Sequence, residues 1–196
     1  SSGNDLKYTA SNKKTTVCDT GFAGLSFRFD LEKPIIAAVN GFAMGGGLET
    51  ALACDLIIAS ENASFALPEV KVGFLAAAGG IQRLTRQIGR GAAIEMLLTG
   101  RHINASEALS LGLAFKIVKQ DKLMEEALEI AKKITLVSPS AVKATKKILN
   151  SMDKDINLKS SLRLSREVVG KLRNTEDFKE GVNAFVEKRR PEWKNK

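Results

Sequence analysis

The sequence predicts an α/β fold, because short apolar runs with the character of buried strands alternate with glycine turns and short helices. Residues 35–39 (IIAAV) are continuously apolar and lie between Pro34 and Asn40-Gly41, as expected for a strand covered on both faces. Residues 56–59 (LIIA) have the same character. A helix between two such runs gives the strand–helix–strand order of an α/β layer.

The first of these helices follows three consecutive glycines. Residues 48–54 come directly after Gly45-Gly46-Gly47, and Ala51 and Leu52 lie three and four residues beyond Leu48, which favours a short helix. Residues 64–67 (SFAL) then predict a shorter strand. Further along, Gly79-Gly80 opens a helix that is expected to run to Ile88 and to end at Gly89.

The second half of the chain is predicted to be mostly helical, with one more strand over residues 113–118. Three further helices have recognisable first residues: a capping box at Asn104 and Glu107, Ser138 before Pro139, and Thr175 before two acids. We therefore expect an α/β core over residues 1–137 and a helical module over residues 138–196.

The composition is typical of a globular protein. The chain has 196 residues, 44% of them hydrophobic and 27% charged, which is ordinary for a globular protein. No apolar run approaches the roughly 20 residues of a membrane span. With two cysteines and no sequence resembling a signal peptide, we expect reduced thiols and a cytoplasmic location.

The net charge of +8 lies entirely in the second half, where 21 Lys and Arg residues stand against 13 Asp and Glu. Lys143, Lys146 and Lys147 share one helix face and could meet phosphates, but a solvated face is the default expectation. His102 has no neighbouring acid or nucleophile, so we expect a surface or packing role for it. No metal-ligand spacing is present.

Two acids near the glycines could carry chemistry. N–H groups at a glycine-led helix start favour negative charge, such as an enolate oxygen. Glu49 lies one turn beyond Gly46, and Glu69 follows an apolar strand and Pro68. Each has a simpler explanation, helix electrostatics for Glu49 and a solvated loop for Glu69. As a pair they supply an acid and a base for adding or removing water.

Five linked motifs follow one another along the chain: AVNGFAMGGGLE at 38–49, ASFALPEVKVG at 63–73, GGIQRL at 79–84, LTGR at 98–101 and EKRRPEW at 187–193. Together they resemble the enoyl-CoA hydratase/isomerase family, also called the crotonase superfamily. Residues 1–6 resemble the family's first oxyanion loop. The match therefore extends over nearly the whole chain.

This resemblance implies a spiral of ββα units with a C-terminal helical trimerisation module, and an acyl-CoA substrate. The oxyanion donors would be the backbone N–H groups of Asn4 and Gly46. Glu49 would take a proton from water as its oxygen adds to the β-carbon, while Glu69 would protonate the α-carbon. Further substrate contacts are implied at six residues: Gly3, Asp5, Leu6, Gly45, Leu75 and Ala77.

The resemblance also implies the reaction class. Isomerases of the family tend to lack the acid at the position of Glu49, so the pair favours a hydratase/dehydratase. Residues 21–25 (GFAGL) and 62–69 look most like the carnitinyl-CoA dehydratases, also called crotonobetainyl-CoA hydratases or carnitine racemases. A quaternary ammonium substrate would favour an aromatic cage, and the chain has one Trp and one Tyr. The alternatives are an isomerase or racemase of the same fold, or a CoA- or RNA-binding homologue without catalysis.

No cofactor is expected, since coenzyme A is part of the substrate, and no metal. The expected partners are copies of the chain, as a homotrimer or a dimer of trimers, without membrane or nucleic acid. The sequence departs from the family at residues 75–78 (LAAA), where a proline followed by Gly or Asp is usual. We also expect the family's opening strands, with their CoA contacts, to be missing from this sequence.

Overall fold

The computed structural model describes residues 1–11, 18–152 and 157–196. Its contacts divide the chain into an α/β unit, formed by residues 1–28 and 35–128, and a helical unit, formed by residues 29–34 and 129–196. The boundary predicted near Ser138 falls inside the second of these units and stays a prediction.

The elements follow the alternating order expected from the sequence. The strands are β1 (Ile36–Val39), β2 (Phe42–Met44), β3 (Leu56–Ser60), β4 (Ser64–Ala66), β5 (Ile103–Asn104) and β6 (Lys116–Val118). The helices are α1 (Leu6–Ala10), α2 (Gly46–Leu52), α3 (Gly80–Ile88), α4 (Arg90–Thr99), α5 (Ala105–Ser110), α6 (Leu123–Thr135), α7 (Pro139–Met152), α8 (Leu158–Leu172) and α9 (Glu176–Val186). Short 3₁₀ turns cover Phe22–Gly24, Pro68–Val72 and Gln120–Lys122. Across the described ranges, every helix is too short or too polar to cross a membrane.

The strands form two three-stranded sheets, and the first four strands along the chain alternate between them. One sheet has the order β1-β3-β6 with all strands parallel, and the other has the order β2-β4-β5, with β2 and β4 parallel and β5 antiparallel to β4. Consecutive strands such as β1 and β2 therefore belong to different sheets, and the helix α2 returns the chain to the first one. Repeated ββα units of this kind build a spiral, which confirms the predicted fold class.

The strand predicted over residues 35–39 is present, but its expected burial on both faces is wrong. Every residue of β1 is half-buried, whereas four of the five residues of β3 are buried. The reason is position in the sheet: β3 lies between two strands, while β1 lies at an edge of the described sheet.

The predicted helix starts are confirmed by their hydrogen bonds. Asn104 Oδ1 accepts from the Glu107 N–H (2.9 Å), Ser138 Oγ from the Ala141 N–H (3.2 Å), and Thr175 Oγ1 from the Phe178 N–H (3.1 Å). The capping box at Asn104 is only half formed, since the Glu107 carboxylate pairs with Arg101 instead (Oε1···Nη2 2.6 Å).

The core of the α/β unit fixes the helices that carry the site. Leu48 of α2, Phe65 of β4 and Leu84 of α3 are all fully buried in one cluster with Leu67. Burying a large apolar side chain completely contributes about 1.5–3 kcal/mol. Packing therefore sets α2 and α3 rigidly beside the second sheet.

In the helical unit, the solvated lysine face expected on α7 is wrong for one of its members. Lys146 is buried, and its Nζ donates to the Lys33 carbonyl oxygen. Lys143 Nζ donates to Asn195 Oδ1 (3.0 Å), and Lys147 is exposed. The helix turns Lys146 inward because residues 29–34 pack against this unit and supply it with an acceptor.

Candidate active site

The triple glycine forms the turn between β2 and α2. Gly45 has φ +55°, a conformation that favours glycine, and its N–H donates to the Ala66 carbonyl (2.9 Å). Gly46 is the first residue of α2, so its N–H has no carbonyl partner within the helix. The turn therefore presents a donor at the positive end of a helix.

A loop from earlier in the chain places an aromatic ring against Gly46. A Cβ added at Gly46 would lie 2.5 Å from Cε1 of Phe22, so only glycine allows the ring to pack this closely. The Phe22 N–H donates to Ser26 Oγ (2.8 Å), and Ser26 is buried. Phe22 thus forms one wall of the space next to the Gly46 N–H.

The first residues of the sequence run beside β2. The Ser1 carbonyl accepts from the Met44 N–H (2.9 Å), and a Cβ added at Gly3 would lie 2.8 Å from the Gly46 nitrogen. The backbone of Gly3 is therefore against Gly46. Asn4 follows directly, so the two residues expected to supply oxyanion donors, Asn4 and Gly46, lie in the same region.

Glu49 is buried, with 4% of its surface exposed, on the first turn of α2. Its Oε1 accepts two backbone hydrogen bonds, from the Ala78 N–H (2.7 Å) and the Gly80 N–H (2.9 Å). Burial raises the pKa of Glu49 above its ordinary value, and the N–H groups of Gly80 and Ala78 and the charge of Arg83 oppose that rise. The carboxyl is thus held in one orientation by the loop before α3.

Glu69 approaches the same glycine turn from the second sheet. It stands in the first turn of the 3₁₀ helix Pro68–Val72, and a Cβ added at Gly45 would lie 3.0 Å from its Oε1. Its Oε2 is buried and finds no hydrogen-bond partner among the described residues. Burial raises the pKa of Glu69, and the negative charge of Glu49 raises it further. The structure therefore brings the two predicted acids together.

The other residues expected to contact the substrate differ in exposure. Asp5 Oδ1 accepts from the Lys7 N–H (2.9 Å) and the Tyr8 N–H (3.3 Å), so this side chain caps α1. Leu6 is 56% exposed and Leu75 52% exposed, and Ala77 is also exposed. Leu6, Leu75 and Ala77 therefore offer apolar surface, and their contact with an acyl chain stays a prediction.

Sequence reasoning missed four residues that contribute to the site. Ala78 and Gly80 supply the N–H groups that orient Glu49, Phe22 packs on Gly46, and Arg83 lies near Glu49. The glycine pair that opens α3 was a signal for close backbone approach, but nothing in the pattern identified Glu49 as its partner. His102 lies exposed.

Within the described residues, no group of His, Cys, Asp and Glu side chains is arranged to hold a metal ion. The groups that do converge are a helix-start N–H and two carboxyls with raised pKa. Donors of this kind stabilise charge on a carbonyl oxygen, and positioned carboxyls act as general acids and bases. The arrangement can therefore support chemistry beside a polarised carbonyl.

Comparison with known proteins agrees with this chemistry. A sequence model described as enoyl-CoA hydratase/isomerase matches residues 1–196. The chain is 46% identical over 180 residues to a carnitinyl-CoA dehydratase of Proteus mirabilis, covering 90% of this chain and 69% of that protein. It is also 46% identical over 166 residues to a probable mitochondrial enoyl-CoA hydratase of Dictyostelium discoideum, covering 85% and 60%. A crystal structure of an enoyl-CoA hydratase from Mycobacterium tuberculosis superposes with a TM-score of 0.91 at 37% identity, covering 100% of this chain and 76% of that one.

Proposed function

The chain belongs to the enoyl-CoA hydratase/isomerase, or crotonase, family as an enzyme of the lyase class, and we propose that it hydrates and dehydrates enoyl-CoA thioesters through Glu49 and Glu69. The family expected from the glycine motif is thereby confirmed. The observation that carries the proposal is the pairing of the buried Glu49 with the half-buried Glu69 at the triple-glycine turn that leads into α2.

The different surroundings of the two acids support different roles. Glu49 accepts two N–H bonds at Oε1, which favours its ionised form. As a carboxylate it would take a proton from water while the water oxygen adds to the β-carbon of the substrate. Glu69 lies near that negative charge, and its Oε2 has no hydrogen-bond partner in the described part of the chain, so Glu69 is biased towards its protonated form. It would give its proton to the α-carbon.

Charge developing on the thioester oxygen would be met by the N–H groups of Asn4 and Gly46. The Gly46 N–H is supported by the dipole of α2. Removing one donor of this type from an active site typically costs about 10²–10³ in rate. In dehydration the same groups act in reverse, with Glu69 removing the α-proton and Glu49 protonating the departing hydroxyl.

For the acyl group, we propose short enoyl chains, with crotonobetainyl-CoA and carnitinyl-CoA as the specific pair. The similarity to a carnitinyl-CoA dehydratase supports this choice. Phe22 offers the trimethylammonium group an aromatic face beside Gly46. The equal identity to a probable enoyl-CoA hydratase makes crotonyl-CoA the competing substrate.

We also propose that copies of the chain associate through the helical module as a homotrimer or a dimer of trimers. Exposed apolar side chains on α8 and α9 support this proposal, among them Leu162, Val169, Phe185 and Val186. Such side chains grouped on one unit mark an interaction surface.

The test is hydration of crotonyl-CoA and crotonobetainyl-CoA in ¹⁸O-labelled water. Wild type should place the label on the β-hydroxyl of the product, and Glu69→Gln should lower kcat by about 10²–10⁴, the usual contribution of a positioned acid. Glu61→Gln, an exposed acid between β3 and β4, is the matched control and should keep wild-type kcat. An unchanged circular dichroism spectrum verifies the fold. Full activity of Glu69→Gln, or product without label, would overturn the assignment.

A further inference from the structure

Arg83 is the charged residue of α3 that faces inward near the site. Its Nη2 donates to the Ser26 carbonyl (2.7 Å) and its Nη1 to the Ala78 carbonyl (3.3 Å). These acceptors lie 57 and five residues away along the chain. One guanidinium therefore joins two loops that are far apart along the chain.

Each of those loops contributes to the site. Ser26 holds the Phe22 N–H through its hydroxyl, and the Phe22 ring packs on Gly46. On the other side, Ala78 donates its N–H to Glu49 Oε1. A shift of either loop would thus move either the aromatic wall or the orientation of the Glu49 carboxyl.

Arginine suits this position for two reasons. Its planar fork holds two acceptors at fixed angles, which a lysine ammonium cannot do from one place. Its charge is permanent and acts on Glu49, whose pKa it holds down against the effect of burial. The charged groups facing Glu49 are then Arg83 from α3 and Glu69 from the 3₁₀ helix Pro68–Val72.

We propose that Arg83 is a positioning residue. It fixes the position of the Phe22 ring relative to the Glu49 carboxylate, so that substrate and base meet in the correct geometry. This inference rests on the proposed hydratase function for its catalytic consequence. Its structural content, a guanidinium that joins the two loops and whose charge acts on Glu49, does not depend on turnover. Misplacement of a reacting group by about 1 Å can cost about 10²-fold in rate.

The kinetic test compares Arg83→Met and Arg83→Lys with Arg86→Met, an exposed arginine of the same helix. Arg83→Met should lower kcat by about 10–10²-fold with a smaller change in KM, because geometry rather than binding is lost. The acid limb of its kcat/KM profile should move to higher pH, since Glu49 loses a neighbouring positive charge. Arg83→Lys should restore the acid limb towards wild type but recover kcat only in part, and Arg86→Met should match wild type.

A second measurement needs no substrate. Titration of ¹³C-labelled glutamate by NMR should show the Glu49 carboxyl titrating at higher pH in Arg83→Met than in wild type or Arg86→Met. An unshifted Glu49 titration would overturn the inference even if hydration is found. A shifted titration in a protein that hydrates neither crotonyl-CoA nor crotonobetainyl-CoA would instead count against the proposed function alone. A fall in kcat with an unmoved pH profile would reduce Arg83 to a purely structural role and also overturn the inference.

Discussion

Each of the two units buries a carboxyl in the first turn of a helix, and the two carboxyls behave in opposite ways. Glu49 at the start of α2 is 4% exposed and Asp177 at the start of α9 is 1% exposed. Nevertheless, the pKa of Glu49 is raised and that of Asp177 is lowered. Depth of burial therefore does not decide the state of a buried acid.

The number of hydrogen-bond donors explains the difference. Burial acts to raise the pKa of Asp177, but its hydrogen bonds outweigh that effect. Its Oδ1 accepts from the N–H groups of Lys194 (2.8 Å) and Asn195 (2.9 Å). Its Oδ2 accepts from the Ser140 hydroxyl (2.7 Å), the Ser140 N–H (3.2 Å) and the Ser138 hydroxyl (3.4 Å). Both oxygens of Asp177 are thus saturated, which ties the end of the chain to the start of α7.

By comparison, Glu49 and Glu69 of the α/β unit accept fewer hydrogen bonds than Asp177 does. Glu49 uses Oε1 for both of its N–H bonds, and Glu69 Oε2 is buried without a partner in the described structure. Buried polar atoms almost always find partners, so an exception calls for an explanation. A buried carboxyl whose two oxygens both accept hydrogen bonds thus has an architectural role. A carboxyl with an oxygen that lacks a hydrogen-bond partner is available to a substrate.

The largest effect expected from this comparison is on the stability of the helical unit. Asp177→Ala should lower its free energy of unfolding by about 2–4 kcal/mol, because it leaves several buried donors without an acceptor. The single tryptophan, Trp193, reports this directly, since its Nε1–H donates to the Leu136 carbonyl within the same unit (2.9 Å). Urea unfolding followed by Trp193 fluorescence is the measurement.

Glu167→Ala is the matched control, an exposed acid of α8 in the same unit. It should unfold with the wild-type midpoint. If the Asp177 and Glu167 variants unfold at the same urea concentration, saturation by donors does not stabilise this unit and the comparison fails.

A smaller effect should appear as a dependence on pH. The pKa of Asp177 is lower in the folded protein than in the unfolded chain, where it is about 3.9. Its stabilising contribution is therefore fully present above the unfolded pKa and is lost as pH falls through the folded pKa. The advantage of wild type over Asp177→Asn should be about 1–3 kcal/mol at pH 7 and should shrink as pH falls below the unfolded pKa. Urea unfolding at a series of pH values measures it, and a constant difference would contradict the assigned ionisation.

Local patterns predicted the elements of both units well. The apolar run at 56–59, the cap at Asn104 and the cap at Thr175 each stand where the sequence indicated. These features depend on neighbours a few residues apart, which a sequence shows directly. The residues themselves indicated the acid pair as one of two explanations, and the resemblance to the crotonase family supplied the role of each acid.

What the sequence could not predict are contacts between distant segments. Glu49 and its Ala78 donor are 29 residues apart, and Arg83 and Ser26 are 57 apart. Lys146 reaches the Lys33 carbonyl over 113 residues, which turned an expected solvated side chain into a buried one. No local periodicity contains such pairings, because they are set by how distant segments pack within each unit.

The smallest expected effect is that of Glu69 on the stability of the α/β unit. Ionisation of Glu69 should destabilise the folded state, whereas ionisation of Asp177 should stabilise it. The pKa of Glu69 is higher in the folded state than in the unfolded chain, so ionisation opposes folding. This penalty is absent below the unfolded pKa of about 4.3 and fully present above the folded pKa. Glu69→Gln mimics the protonated form and should gain on the order of 0.5–1 kcal/mol at pH 8, as functional residues often do when replaced, with no gain at pH 4. Calorimetric midpoints of Glu69→Gln, wild type and Glu61→Gln at both pH values measure it. A Glu69→Gln variant less stable than wild type at pH 8 would place Glu69 with Asp177 among the architectural acids.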